Sequence, residues 1–154
     1  MKQRFVDAYM DVAKRFSQLS YAVRLKVGAV IVKDDRIIAY GYNGTPSGWD
    51  NNCEDEVIVE MDEKFIKTLI TKPEVLHAES NAIAKLAKSP ESGDDATLFI
   101  THSPCIECSK LIYQSGIKRV YFGEQYRNTD GIDFLKASKI DVVKVDKQSI
   151  AQEV

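Results

Sequence analysis

One histidine and two cysteines constrain this chain more than anything else in it. His77 is followed by Ala78 and Glu79, and the cysteines lie in the run Pro104-Cys105-Ile106-Glu107-Cys108. Imidazole nitrogen and thiolate sulfur are donors that zinc takes in a tetrahedron, and three protein ligands leave the fourth position open for water. Taken singly, each part also fits a plainer role. A Cys-x-x-Cys pair in a cytosolic chain can be a redox couple, and a histidine ahead of a helix can be a hydrogen-bonded core group. Taken together, with a carboxylate two residues after the histidine, they point to a single metal centre. A bound cation moves the pKa of its water toward neutrality, and Glu79 is placed to carry the proton involved. The fold must then bring two distant stretches of chain to one point.

The length of 154 residues suits one domain with one sizeable core. A net charge of -2 and a pI near 5.7 argue against a groove for polymeric nucleic acid and favour a small substrate. Three cysteines are an odd number, and two are claimed by the metal, so no disulfide framework is implied. Free thiols suit a reducing compartment. Neither a signal-peptide pattern nor a run of about 20 apolar residues occurs, so a cytoplasmic chain without membrane contact is expected.

In chain order, Phe5, Ala8, Tyr9, Val12, Phe16 and Leu19 recur at helical spacing and predict an amphipathic helix lying on a sheet. Val27–Val32 and Ile37–Tyr42 read as two strands of a hairpin around the polar turn at 33–36. Gly28 inside the first strand marks a close backbone approach or a bulge. Residues from about 48 to 76 form an insertion with an acidic middle, and Phe65–Ile70 is read as a short helix. His77 opens a helix running to about Lys88, with Ala82, Ile83 and Leu86 inward. Ala96–Thr101 is a third strand, and Cys105 and Cys108 fall in the first turn of the next helix, on one side of it. That helix ends at Gly116. Lys118–Phe122, Asp130–Lys139 and Ile140–Val145 supply a strand, a helix and a fifth strand, with Ser149–Val154 as a frayed tail. Strands alternating with helices after a hairpin predict a three-layer α/β/α domain around a mixed five-stranded sheet.

His77-Ala78-Glu79 with Pro104-Cys105-Ile106-Glu107-Cys108 resembles the zinc-dependent nucleobase deaminases, in which the Glu is an acid/base and not a ligand. The stretches Gly41-Tyr42-Asn43-Gly44-Thr45-Pro46 and Thr101-His102-Ser103-Pro104-Cys105 narrow the resemblance to the deoxycytidylate (dCMP) deaminase branch of the cytidine deaminase superfamily. The similarity runs from about Val27 to Val145 and implies a cytidine deaminase-like fold.

The resemblance implies hydrolytic removal of the 4-amino group of dCMP, giving dUMP and ammonia, with one zinc per chain on His77, Cys105 and Cys108. Glu79 is the implied proton carrier. Asn43 is implied for the sugar 3'-hydroxyl, the Ala78 backbone N–H for the base carbonyl, Ser103 for the amino group and Tyr126 for the substrate side. Arg24, Lys26 and Arg127 are candidates for the phosphate, because an Arg fork or a Lys charge suits phosphate oxygens. Many members of the branch are homohexamers activated by dCTP and inhibited by dTTP. Gly44, Lys85 and Lys88 are the positions the resemblance links to such effectors, and Mg²⁺ would accompany a bound triphosphate. Beyond the catalytic set only Cys53 and His102 remain, too few for a second closed zinc site without carboxylates, and Cys53 is expected as a free thiol. A transfer-RNA adenosine deaminase shares the His-Ala-Glu and Pro-Cys-x-x-Cys elements. A non-catalytic zinc-stabilised binding module is the alternative of another class, but it would have no use for Glu79.

Overall fold

The computed structural model describes residues 1–146. The expected tail at Ser149–Val154 lies outside the described residues. Among the described residues, seven strands and four helices follow one another as α1 (Gln3–Ser17), β1 (Gly28–Lys33), β2 (Arg36–Tyr42), β3 (Glu54–Met61), β4 (Lys64–Thr71), α2 (Ala78–Ala87), β5 (Thr97–His102), α3 (Ile106–Gln114), β6 (Arg119–Glu124), α4 (Asp130–Ala137) and β7 (Asp141–Lys144).

The main sheet has five strands in the order β2-β1-β5-β6-β7. β1 pairs antiparallel with both β2 and β5, whereas β5, β6 and β7 are parallel. The parallel pairs need crossovers, which α3 and α4 provide. The alternation of side chains along each strand divides the core between the two faces. Ala29, Ile31, Leu98, Ile100, Val120 and Phe122 face α2, α3 and α4, meeting Ala82, Leu86, Ile112, Ile132 and Leu135. Val30, Val32, Phe99 and Tyr121 face α1. The three-layer arrangement expected from the sequence is therefore present, with one helix on one face and three on the other.

Two backbone contacts set helix positions. A side chain on Gly28 would lie 2.0 Å from the Ala13 carbonyl oxygen, so α1 can rest on β1 only because residue 28 has none. The close approach expected at Gly28 is this contact. At Gly41 a Cβ would lie 2.1 Å from the Ala78 carbonyl oxygen, which places the start of α2 directly on β2.

Three expectations need correction. The buried stripe of α1 runs through Val6, Met10 and Ala13, with Tyr9, Val12 and Phe16 beside it. Phe5 and Leu19, at 43% and 46% exposure, lie off that stripe. Phe65–Ile70 is not a helix but part of β4, which pairs with β3 in a separate two-stranded hairpin. Its two-residue turn, Asp62-Glu63, has both φ angles positive, as do Asp34-Asp35 between β1 and β2. Such turns match the twist of paired strands, and the β-branched residues Val57, Ile58, Val59, Ile66, Thr68 and Ile70 suit a strand better than a helix. The third correction concerns Lys26, which lies away from the cavity described next.

Candidate active site

β2, β5 and β6 run in the same direction, so Asn43, Ser103 and Tyr126 all follow strand ends at one edge of the sheet. This is where an open α/β sheet offers a crevice to a ligand. A cavity of about 740 Å³ occupies it. Its lining includes Arg24, Asn43, Glu54, His77, Ala78, Glu79, Ser103, Cys105, Tyr126 and Arg127.

His77 is the N-cap of α2 and Cys105 the N-cap of α3, both in extended backbone conformation. Cys108 lies within the first turn of α3, and its N–H donates to Cys105 Sγ at 3.4 Å. His77 Nδ1 is 3.7 Å from Cys105 Sγ and 3.4 Å from Cys108 Sγ. All three ligand atoms lie within 4.8 Å of one another. Zinc–nitrogen and zinc–sulfur bonds of ordinary length at a tetrahedral angle give an N···S edge of about 3.6 Å. The donors are thus already spaced for that ion. The three groups also perturb one another electrostatically. Cys105 is held as a thiolate, down to about 3, chiefly by the hydrogen bond from Cys108 and then by that from His77. The Cys108 thiol is pushed up by its bond to Cys105 and by burial, and His77 is raised by its bond to Cys105.

Glu79 is 4% exposed and lines the same cavity. Burial pushes its carboxyl up to about 7, against the weaker lowering effect of its own backbone hydrogen bond and of His77. Because His77 only caps the helix, the histidine and a residue two positions later both reach one cavity. Ala78 is the first residue of α2, where a helix N–H lacks an intrahelical acceptor. Ser103, 1% exposed, accepts a hydrogen bond at its Oγ from the Tyr126 N–H at 2.9 Å. That bond joins the ends of β5 and β6. The Tyr126 phenol is raised to about 12, by burial first and then by Glu79, so it remains a neutral donor.

Asn43 is built into the backbone more firmly than the sequence suggests. Its Oδ1 accepts from the Val27 N–H and its Nδ2 donates to the Leu25 carbonyl, both at 2.8 Å. An amide retains one further N–H and one lone pair after these bonds. Arg24 and Arg127 line the cavity, but Lys26 does not. Lys26 lines a separate cavity with Asp7, Asp11 and Lys14 of α1. Leu25 and Val27 pack into the core under α2 to α4, so alternation turns Lys26 to the opposite side.

A second cavity, of about 610 Å³, is lined by Asn43, Gly44, Cys53, Lys85 and Lys88 with Tyr21, Tyr40 and Tyr42. Asn43 therefore borders both cavities. Lys85 is more than a solvated charge: its Nζ donates to the Tyr40 carbonyl at 2.9 Å and sits 4.4 Å from the centre of the Tyr40 ring. Cys53 is a buried free thiol, as expected. Sequence reading passed over Glu54, a carboxylate only 6% exposed in the lining of the first cavity. Nothing local distinguishes it from the other acids of its strand.

The family described as "Cytidine and deoxycytidylate deaminase zinc-binding region" matches residues 3–124. ComE operon protein 2 of Bacillus subtilis is 44% identical over 104 residues, which cover 68% of this chain and about half, 51%, of that protein. The deoxycytidylate deaminase of Enterobacteria phage T4 is 32% identical over 173 residues, covering 92% of this chain and 90% of the phage enzyme. Among solved structures, the dCMP deaminase of cyanophage S-TIM5 in complex with dCMP and dUMP superposes with a TM-score of 0.83. It has 49% sequence identity and covers 94% of this chain and 99% of that one. The match of fold, of sequence over most of the length and of the converging His-Cys-Cys group leads to one conclusion: this chain belongs to the cytidine and deoxycytidylate deaminase family.

Proposed function

We propose that the chain is a zinc-dependent dCMP deaminase, converting dCMP and water to dUMP and ammonia. The observation that carries this reading is the placement of His77 Nδ1 3.7 Å from Cys105 Sγ and 3.4 Å from Cys108 Sγ, with His77, Cys105 and the buried Glu79 lining one cavity. His77, Cys105 and Cys108 would hold the zinc, whose contribution is to bring the pKa of a water toward neutrality.

The chain's own residues do the rest. Glu79 takes a proton from the water as its oxygen adds to C4 and delivers that proton to N3 of the pyrimidine, then carries the second water proton to the amino nitrogen, which leaves as ammonia when the C4–N bond breaks. A carboxyl poised by burial near neutral pH is suited to both directions of transfer. The Ala78 N–H is assigned to the base carbonyl, Ser103 to the amino group, Asn43 to the sugar hydroxyl and Tyr126 to the substrate's far side. Arg24 and Arg127 are assigned to the phosphate.

The second cavity suits a nucleotide effector, with Gly44 in its lining and Lys85 and Lys88 as its cations. On this reading dCTP activates and dTTP inhibits, with Mg²⁺ on the triphosphate, in a cytoplasmic homohexamer whose subunits are each one deaminase domain carrying the insertion at about 48–76. Asn43 lines both cavities, which supports a coupling between them. Ammonia release from dCMP, deoxycytidine and a transfer-RNA anticodon stem, with and without dCTP or dTTP, tests the reading. Release from dCMP that responds to the triphosphates supports it, and release from the RNA alone contradicts it.

A further inference from the structure

Residues 20–27 join α1 to β1 without regular structure, yet they carry Arg24 into the cavity. Simple alternation from Val27 would place residues 24 and 26 on the same side, and Lys26 goes to the α1 side. A bend at Val23 and Arg24 breaks the alternation. Glu54 holds that bend. Its Oε1 accepts from the Val23 N–H at 2.8 Å and from the Arg24 N–H at 3.1 Å. The Arg24 side chain is tied to the same place, because its Nη1 donates at 3.2 Å to Thr71 Oγ1, and Thr71 is the cross-strand partner of Glu54. The base of the β3–β4 hairpin thus grips both the backbone and the guanidinium of one arginine.

We propose that Glu54 is a positioning residue for the recognition of the substrate's phosphate, acting through Arg24. The proposal rests on the dCMP deaminase reading and adds to it a purpose for the hairpin. A carboxylate shielded from water and satisfied by two backbone N–H groups forms stronger bonds than a neutral acceptor would. Burying an acid here costs desolvation that an ordinary surface glutamate avoids. The gain is a fixed arginine, which loses less freedom when it closes on a phosphate. Discrimination between a nucleoside monophosphate and a nucleoside then depends on a residue that need not touch either.

The test is steady-state kinetics of the zinc-loaded full chain on dCMP and deoxycytidine, for Arg24→Ala, Glu54→Ala, Glu54→Gln and Thr71→Val. Glu54→Ala is expected to lower the dCMP-to-deoxycytidine ratio of kcat/KM by roughly tenfold or more, through KM for dCMP, as does Arg24→Ala. Glu54→Gln keeps an acceptor oxygen and restores most of the ratio. Thr71→Val, which leaves the Glu54 bonds intact, lowers it less and keeps the proposal testable if Glu54→Ala does not fold. A merely structural role would depress both substrates together and leave the ratio unchanged, and that result overturns the proposal. A collapsed ratio in Arg24→Ala beside wild-type ratios in Glu54→Ala and Thr71→Val overturns the positioning role alone. An unchanged ratio in Arg24→Ala overturns it together with the arginine's phosphate role, whereas absence of ammonia release from dCMP by the wild-type chain defeats the underlying reading.

Discussion

His77 Nδ1 and Cys108 Sγ lie 3.4 Å apart, although one residue caps α2 and the other lies in the first turn of α3. Two helix starts have been brought together at one edge of the sheet, and the donors they carry match the spacing zinc demands. Replacing His77 by Ala or Cys108 by Ser should lower bound zinc from one equivalent per chain to a small fraction, as measured by elemental analysis after gel filtration. Acidification should release the metal from the wild type, because the thiolates must be protonated as it leaves. Retention of a full equivalent by the Cys108 variant would remove that residue from the ligand set.

Glu79→Gln keeps the size of the side chain but removes its ability to carry a proton. Zinc content should be unchanged, and kcat should fall by about 10²–10⁴-fold. Near-normal turnover would show that some other group moves the proton.

The contact between Gly41 and Ala78 gives a pair of predictions about assembly of the site. Gly41→Ala drives a Cβ to 2.1 Å from the Ala78 carbonyl and 2.7 Å from the Ala82 N–H, displacing the helix that carries His77 and Glu79. It should cost about 1–3 kcal/mol, with weaker zinc retention. Gly44→Ala meets nothing within 4 Å and should leave the unfolding midpoint nearly unmoved. Denaturant titrations of both variants check the contrast, and equal destabilisation would refute it.

Ser109 Oγ is buried without a hydrogen-bond partner among the described residues, packed where α3 meets Gly131 of α4. A buried unsatisfied hydroxyl is a cost to the folded state, so Ser109→Ala should be neutral or stabilising by up to about 1 kcal/mol. Chemical denaturation measures this directly. A clear loss of stability would mean that the hydroxyl has a partner in solution.

The convergence of His77, Cys105 and Cys108 was legible because these residue types have few other uses in this combination, and the β1–β2 turn because Asp34-Asp35 separates two apolar runs. The second hairpin was not. Phe65, Ile66, Leu69 and Ile70 also fall at helical spacing, and short apolar segments satisfy both periods. Only cross-strand pairing with Glu54–Met61 decides between them, and pairing is a tertiary fact. Arg24 and Lys26 looked equivalent because a bend between elements has no composition of its own. Glu54 was one acid in an acidic stretch until the fold closed over it.

The fate of dCMP in the presence of the chain is the most direct test of its chemistry. Incubation of the zinc-loaded protein with dCMP, followed by chromatography and ammonia assay, should show dUMP and ammonia in equal amounts, with Glu79→Gln nearly inert. Quantitative recovery of unchanged dCMP from a preparation holding one zinc per chain would contradict the proposed activity.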